Sequence, residues 1–132
     1  MSYFTIEELT RSATAKARGI DNTPDAVSVK NLHLLIANVL DPLREAWGRP
    51  LTVNSGYRSP ALNKAVGGVS TSQHTKGQAA DITAGTMADN LRLARLVRSL
   101  KLPFDQLIIE RGGQWLHISH KSSGNRGQVL NL

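Results

Sequence analysis

The sequence predicts an α+β fold, a small and mostly antiparallel sheet with helices packed on one side. Two observations predict it. A long stretch with helical apolar spacing (residues 25–47) precedes the first strand-like run. Two strand-like runs near the C-terminus, DQLIIE (Asp105–Glu110) and WLHISH (Trp115–His120), flank the glycine-bearing turn RGGQ, which is the pattern of a hairpin. At 132 residues, with 40% hydrophobic and 20% charged residues, the chain can build one core. A single domain is expected over residues 1–132, with its core at about 25–121.

The elements follow in order. Thr5 and Glu8 stand at capping-box spacing, so a helix is expected there with Ile6 and Leu9 inward. GIDNTP (Gly19–Pro24) reads as a loop. From Asp25 to Trp47, the residues Leu32, Leu35, Ile36, Val39, Leu43 and Trp47 recur at three- and four-residue steps and share one helix face. Pro42 interrupts this pattern and predicts a kink or a division, and Gly48 and Pro50 end it.

LTVN (Leu51–Asn54) is a strand candidate, as is AADIT (Ala79–Thr83). Between them lies a long irregular stretch rich in glycine and hydroxyls, with a helical turn expected at Ala61–Ala65. Loops of that length in compact domains usually carry function. Thr86 and Asp89 cap a further helix with Leu91, Ala94, Val97 and Leu100 inward and Arg92, Arg95 and Arg98 outward. Pro103 ends it ahead of the hairpin. The polar residues 122–132 read as a loose tail.

Composition removes several function classes. The chain has no cysteine, which excludes disulfides, thiolate metal sites and cysteine nucleophiles. Any metal must be held by His, Asp or Glu. No apolar run approaches the roughly 20 residues that span a bilayer, so membrane insertion is not expected. The N-terminus lacks the basic and apolar regions of a signal peptide. The charge is +6, with a pI near 10.2, and a basic surface attracts nucleic acid, anionic lipid or an anionic cell wall. Nucleic acid is disfavoured: the basic residues are scattered and no helix-turn-helix or zinc-finger spacing occurs.

The chemistry concentrates in two segments. His74 lies in S-x-H-x-x-G-x-A-x-D, with Ser72, Gly77, Ala79 and Asp81, where a loop runs into a strand. His117 lies in W-x-H on the second hairpin strand. Two imidazoles and a carboxylate from separate elements can form a three-ligand zinc site with its fourth position open, as in catalytic sites. Such a site needs a general base. Glu110 ends the first hairpin strand, beside His117 across the turn, though it is equally readable as a surface glutamate. His33 has no acidic or histidine partner at i±4, and His120 points away from His117 by strand period.

Together these motifs resemble the zinc D-alanyl-D-alanine carboxypeptidases of peptidase family M15, in particular the small single-domain branch of bacteriophages and bacteria. S-G-Y-R-S-P-x-L-N (Ser55–Asn63) and DQLIIE belong to the same pattern, so the resemblance covers roughly residues 25–121. It implies a hedgehog/DD-peptidase-like fold, Zn2+ held by His74, Asp81 and His117, and Arg58 reaching the cleft to meet a substrate carboxylate or an oxyanion. Tyr57, Ser72 and Trp115 become candidate substrate contacts, or else residues that only shape the loop and the hairpin. The implied activity is hydrolysis of a peptide bond in peptidoglycan stem peptides. An L-alanyl-D-glutamate endopeptidase of phage endolysin type and a non-catalytic zinc module for wall peptides are the alternatives.

In one position the chain departs from the family pattern. Many members carry an acid three residues before the last zinc ligand, and that position here is Gln114. Hedgehog-type zinc domains place the glutamate further back, which points to Glu110 as the base. A monomer is expected, made in the cytoplasm and acting on the cell wall, with phage-type release or virion delivery as routes.

Overall fold

A computed structural model describes residues 2–132. The N-terminal helical segment forms two short helices, α1 (Ile6–Thr10) and α2 (Ala13–Arg18). Each has its own cap: Thr5 Oγ1 accepts the Glu8 N–H at 3.1 Å, and Ser12 Oγ accepts the Ala15 N–H at 3.1 Å. The second cap offers the backbone an alternative to continuing α1.

The apolar stripe that follows forms a continuous helical rod in three parts: α3 (Ala26–Leu35), a π-helical turn (Ile36–Leu40) and α4 (Asp41–Trp47). The division expected at Pro42 is present, since α4 begins at Asp41, just before it. Pro42 has no N–H to give to the Asn38 carbonyl, and the pitch widens just before it, with the Asp41 N–H bonding the Ile36 carbonyl. Pro42 thereby falls in the first turn of α4, where a missing N–H costs nothing. Leu32, Leu35, Val39 and Leu43 are fully buried as the spacing predicted, and Trp47 packs at the margin of the core.

The sheet has five strands: β1 (Thr52–Ser55), β2 (Ala79–Thr83), β3 (Gln106–Glu110), β4 (Trp115–Ser119) and β5 (Gln128–Asn131), in the order β1-β2-β4-β3-β5. All neighbours are antiparallel except β3 and β5. Between β1 and β2 lie α5 (Pro60–Ala65) and a 3₁₀ turn (Gln73–Lys76); α6 (Met87–Ser99) joins β2 to β3. One sheet face sends Ala80, Ile82, Leu107, Leu116 and Ile118 into a core shared with α3, α4 and α6. The alternation that buries those residues turns Asp81, His117, Glu110 and Trp115 to the other face.

Two expectations are corrected. Residues 122–132 are not a loose tail. Val129 pairs with Leu107 and Leu130 with Ile108 in β5, and the Arg126 side chain is fastened to Asp105. The partners lie some twenty residues upstream, so no local pattern announces the pairing. Along α6, Leu93 is fully buried whereas Leu100, at the C-cap, is 40% exposed. The inward stripe therefore runs Leu93, Ala94, Val97 and ends a turn early. Among the described residues no helix is long and apolar enough to cross a membrane.

Candidate metal centre and its cleft

Strand register makes the centre. Asp81 pairs with His117, and His117 pairs in turn with Ile108, so an acid and an imidazole stand side by side on β2 and β4. Two residues further along, Glu110 pairs with Trp115 and closes the hairpin. Glu110 is thus diagonal to His117 on the same face. The turn is pinned from below by the buried side chain of Asn90, which donates to the Gly113 carbonyl at 2.8 Å and accepts the Ala84 N–H at 2.6 Å. One amide therefore fixes the hairpin to the end of β2.

His74 comes from outside the sheet. Ser72 caps the 3₁₀ turn by accepting the His74 N–H at 3.2 Å, and Gly77 ends it in the left-handed region at φ +70°. A side chain at Gly77 would meet the Ser28 carbonyl at 2.4 Å, so the turn presses directly on α3. At the start of the long loop, the register of β1 against β2 shifts between Val53 and Ser55, a bulge next to Asp81. Gly56 follows so close to Leu9 that a Cβ would lie 2.2 Å from the Leu9 carbonyl oxygen. That approach turns the chain so that the Gly56 carbonyl meets His74 and Arg58 enters the cleft.

Nδ1 of His74 lies 2.7 Å from the Gly56 carbonyl. A carbonyl only accepts, so Nδ1 carries the proton and Nε2 is left with its lone pair free. That Nε2 is 3.3 Å from Asp81 Oδ1, and His117 Nδ1 is 3.0 Å from the same oxygen. One donor atom from each residue falls within 4.8 Å of the others. Two ligands on a tetrahedral ion with bonds of about 2.0 Å sit roughly 3.3 Å apart, so the spacing fits an ion such as zinc. The tautomer, the mixed N/O donor set and a half-open face fit it as well.

Burial works against ionising Asp81. The hydrogen bond from His117 and the nearness of the His74 ring outweigh that and hold its carboxyl well below the usual carboxylate range. Arg58 adds a cation: its NH2 is 3.6 Å from Asp81 Oδ2, while its Nε donates to Ser55 Oγ at 3.0 Å and its NH1 to Asn63 Oδ1 at 3.3 Å.

These groups line a cleft of about 590 Å³, which also takes in Ser72, Glu110 and Trp115. Comparison with known proteins agrees with this geometry. A family model described as Peptidase M15 matches residues 2–119. The chain belongs to the M15 peptidase family. A 48-residue stretch, 36% of the chain, is 50% identical to the zinc D-Ala-D-Ala carboxypeptidase of Streptomyces albus G. That stretch spans 19% of the relative's length.

In this M15 peptidase, His74, Asp81 and His117 converge as the sequence predicted, and Arg58, Glu110, Ser72 and Trp115 line the same cleft. Gln114 is exposed and does not line it. Tyr57 departs from expectation. It is 6% exposed, packs in the hydrophobic core and lines an adjoining pocket rather than the cleft. Its backbone N–H is drawn to the Leu9 carbonyl at 2.7 Å, which carries the ring inward. His33 is exposed on α3, away from the site.

Sequence reasoning missed the supports. Ser55 and Asn63 hold the Arg58 guanidinium, although both lie in the Ser55–Asn63 motif. Asn22 ties three segments: it donates to the Thr10 and Tyr57 carbonyls at 2.8 and 3.1 Å and accepts the Ser59 N–H at 2.7 Å. An asparagine in a loop carries no signal of such a role. The group formed by Asp105, Lys121 and Arg126 at one end of the cleft was hidden by reading the C-terminal segment as a tail.

Proposed function

We propose that this M15 peptidase is a zinc-dependent hydrolase of a peptide bond in peptidoglycan stem peptides, of D-Ala-D-Ala carboxypeptidase type, acting on the cell wall. The observation that carries the reading is the convergence of His74 Nε2, Asp81 Oδ1 and His117 Nδ1 within a cleft that also holds a guanidinium and a free carboxylate. Zinc, when bound, supplies a Lewis acid that lowers the pKa of water and polarises the scissile carbonyl.

The protein's own groups do the rest. Glu110, at the rim of the hairpin, takes the proton of the attacking water and returns it to the leaving amine. Arg58 is already braced by Ser55 and Asn63, so it presents fixed N–H groups to the developing oxyanion or to a substrate carboxylate without reorganising. Gly56 keeps His74 in the tautomer whose Nε2 faces the site. Trp115 offers an apolar wall, its ring covered on one side by Arg111 at 5.6 Å. The net charge of +6 favours an anionic wall.

One observation favours cleavage within a peptide instead. Arg58 lines both the cleft and a second pocket of about 380 Å³, so room lies on either side of its side chain, which suits the longer substrate of an L-alanyl-D-glutamate endopeptidase. Digestion of purified sacculi with the zinc-loaded protein, followed by mass spectrometry, separates the two bonds. The native chain is expected to release product. His74→Ala is expected to lose both zinc and turnover, and Glu110→Ala to keep zinc and lose turnover. Product release by Glu110→Ala would assign the base elsewhere, and unchanged zinc in His74→Ala would overturn the site.

A further inference from the structure

The cleft does not end at the metal ligands. Beyond Gln106 it is lined by Asp105, Lys121 and Arg126. Asp105 is fully buried and organises this end. Its Oδ1 accepts the Arg126 backbone N–H at 3.0 Å and Nε at 2.9 Å, and its Oδ2 accepts NH2 at 2.8 Å. A bidentate fork plus a backbone N–H is costly to rearrange, so Arg126 acts here as a structural clamp.

Lys121 is placed by a second set of contacts. Its N–H donates to Asn125 Oδ1 at 2.7 Å and its carbonyl accepts from Asn125 Nδ2 at 2.8 Å. The preceding His120 N–H donates to the Gln78 carbonyl at 2.9 Å. His117 on β4 and Lys121 just beyond its end both line the cleft. The Lys121 ammonium stands 3.8 Å from Asp105 Oδ1, beyond hydrogen-bond distance, and makes no hydrogen bond among the described residues. Arg126 answers the charge of Asp105, and Lys121 remains a cation in the cleft with its donors unused.

We propose that Lys121 is a specificity-determining residue that binds a carboxylate borne by the substrate away from the scissile bond. This rests on the peptidase reading above and adds to it the class of substrate: a peptide with an anionic residue at a fixed distance from the cut. Lys121 is four residues on from His117, two of them beyond the end of β4, at most roughly 13 Å of extended chain at about 3.3 Å per residue. That is two to four residues of extended peptide once the reach of the lysine is allowed for. The C-terminal segment is thus part of the cleft wall, and Asp105 and Asn125 are positioning residues for it.

The test uses synthetic stem peptides in which the carboxylates two and three residues from the cut are amidated one at a time. With zinc-loaded native protein, amidation of one of them is expected to raise KM about 10-fold with kcat within twofold. Lys121→Gln is expected to treat all the peptides alike, with zinc content and Tm unchanged, and Lys121→Glu to prefer the amide. Discrimination that persists in Lys121→Gln, or a native protein indifferent to amidation, overturns the proposal while leaving the peptidase reading standing. If no peptide is cleaved, the peptidase reading falls, and calorimetric titration of the same peptides still decides this one. Tighter binding of the carboxylate form that Lys121→Gln abolishes supports it; equal binding overturns it.

Discussion

Arg58 shows how one side chain here serves two masters. Its NH2 faces Asp81, and its Nε and NH1 are held by Ser55 and Asn63. Removing it takes a preorganised donor from the cleft but leaves the three metal donors in place. Arg58→Ala is expected to lower kcat/KM on muropeptides by roughly 10²–10³ while zinc content stays near that of the native chain; a loss of zinc of the same order would make it a structural support for Asp81. Gly77→Ala tests the opposite kind of residue, one that touches no substrate. Its left-handed backbone and the Ser28 carbonyl 2.4 Å from a Cβ leave no room for a methyl. A loss of about 2 kcal/mol or more in unfolding free energy is expected from denaturant titration. At this scale the candidate ligands His74, Asp81 and His117 were legible through the motifs that carry the family resemblance, and the structure brings them together. The braces Asn22, Ser55 and Asn63 were not, because an amide or hydroxyl acts only through partners that the fold brings to it.

The C-terminal strand illustrates what an element gains from a single buried acid. Asp105 is held down to about pKa 2, chiefly by its hydrogen bonds to the Arg126 side chain, which outweigh burial. Its folded pKa lies below that of the unfolded chain, so its contribution to stability is complete above about pH 4 and is lost as pH falls towards 2. Arg126 is half exposed and screened by water, so that contribution is about 1–2 kcal/mol. Asp105→Asn is expected to lower Tm at neutral pH and to flatten its decline between about pH 4 and 2. A variant that keeps the native acid profile would move the effect to another carboxylate. Periodicity anticipated the helical rod, the hairpin and β2, whose patterns are local and strong. It failed for β5 because a short parallel edge strand is defined by the partner it finds. It did read a division at Pro42, where a π turn ends and α4 begins.

For the molecule as a whole, the centre joins the long loop, β2 and β4, which lie far apart along the chain. A ligand that binds only the folded state stabilises it by mass action, by about 2.7 kcal/mol at a hundredfold excess over Kd. Chelation is therefore expected to lower Tm by several degrees, read by calorimetry before and after zinc is restored. An unchanged Tm would argue against a preformed site. By itself the sequence determined the donor chemistry, the family and the order of the main elements, since each is written in residue type and local spacing. Tertiary structure alone decided which nitrogen of His74 is free, why Tyr57 is turned inward, that Glu110 rather than Gln114 borders the cleft, and that Lys121 and Arg126 wall one end of it. Those outcomes depend on distances between segments remote in the chain, and such distances exist only after the core has closed.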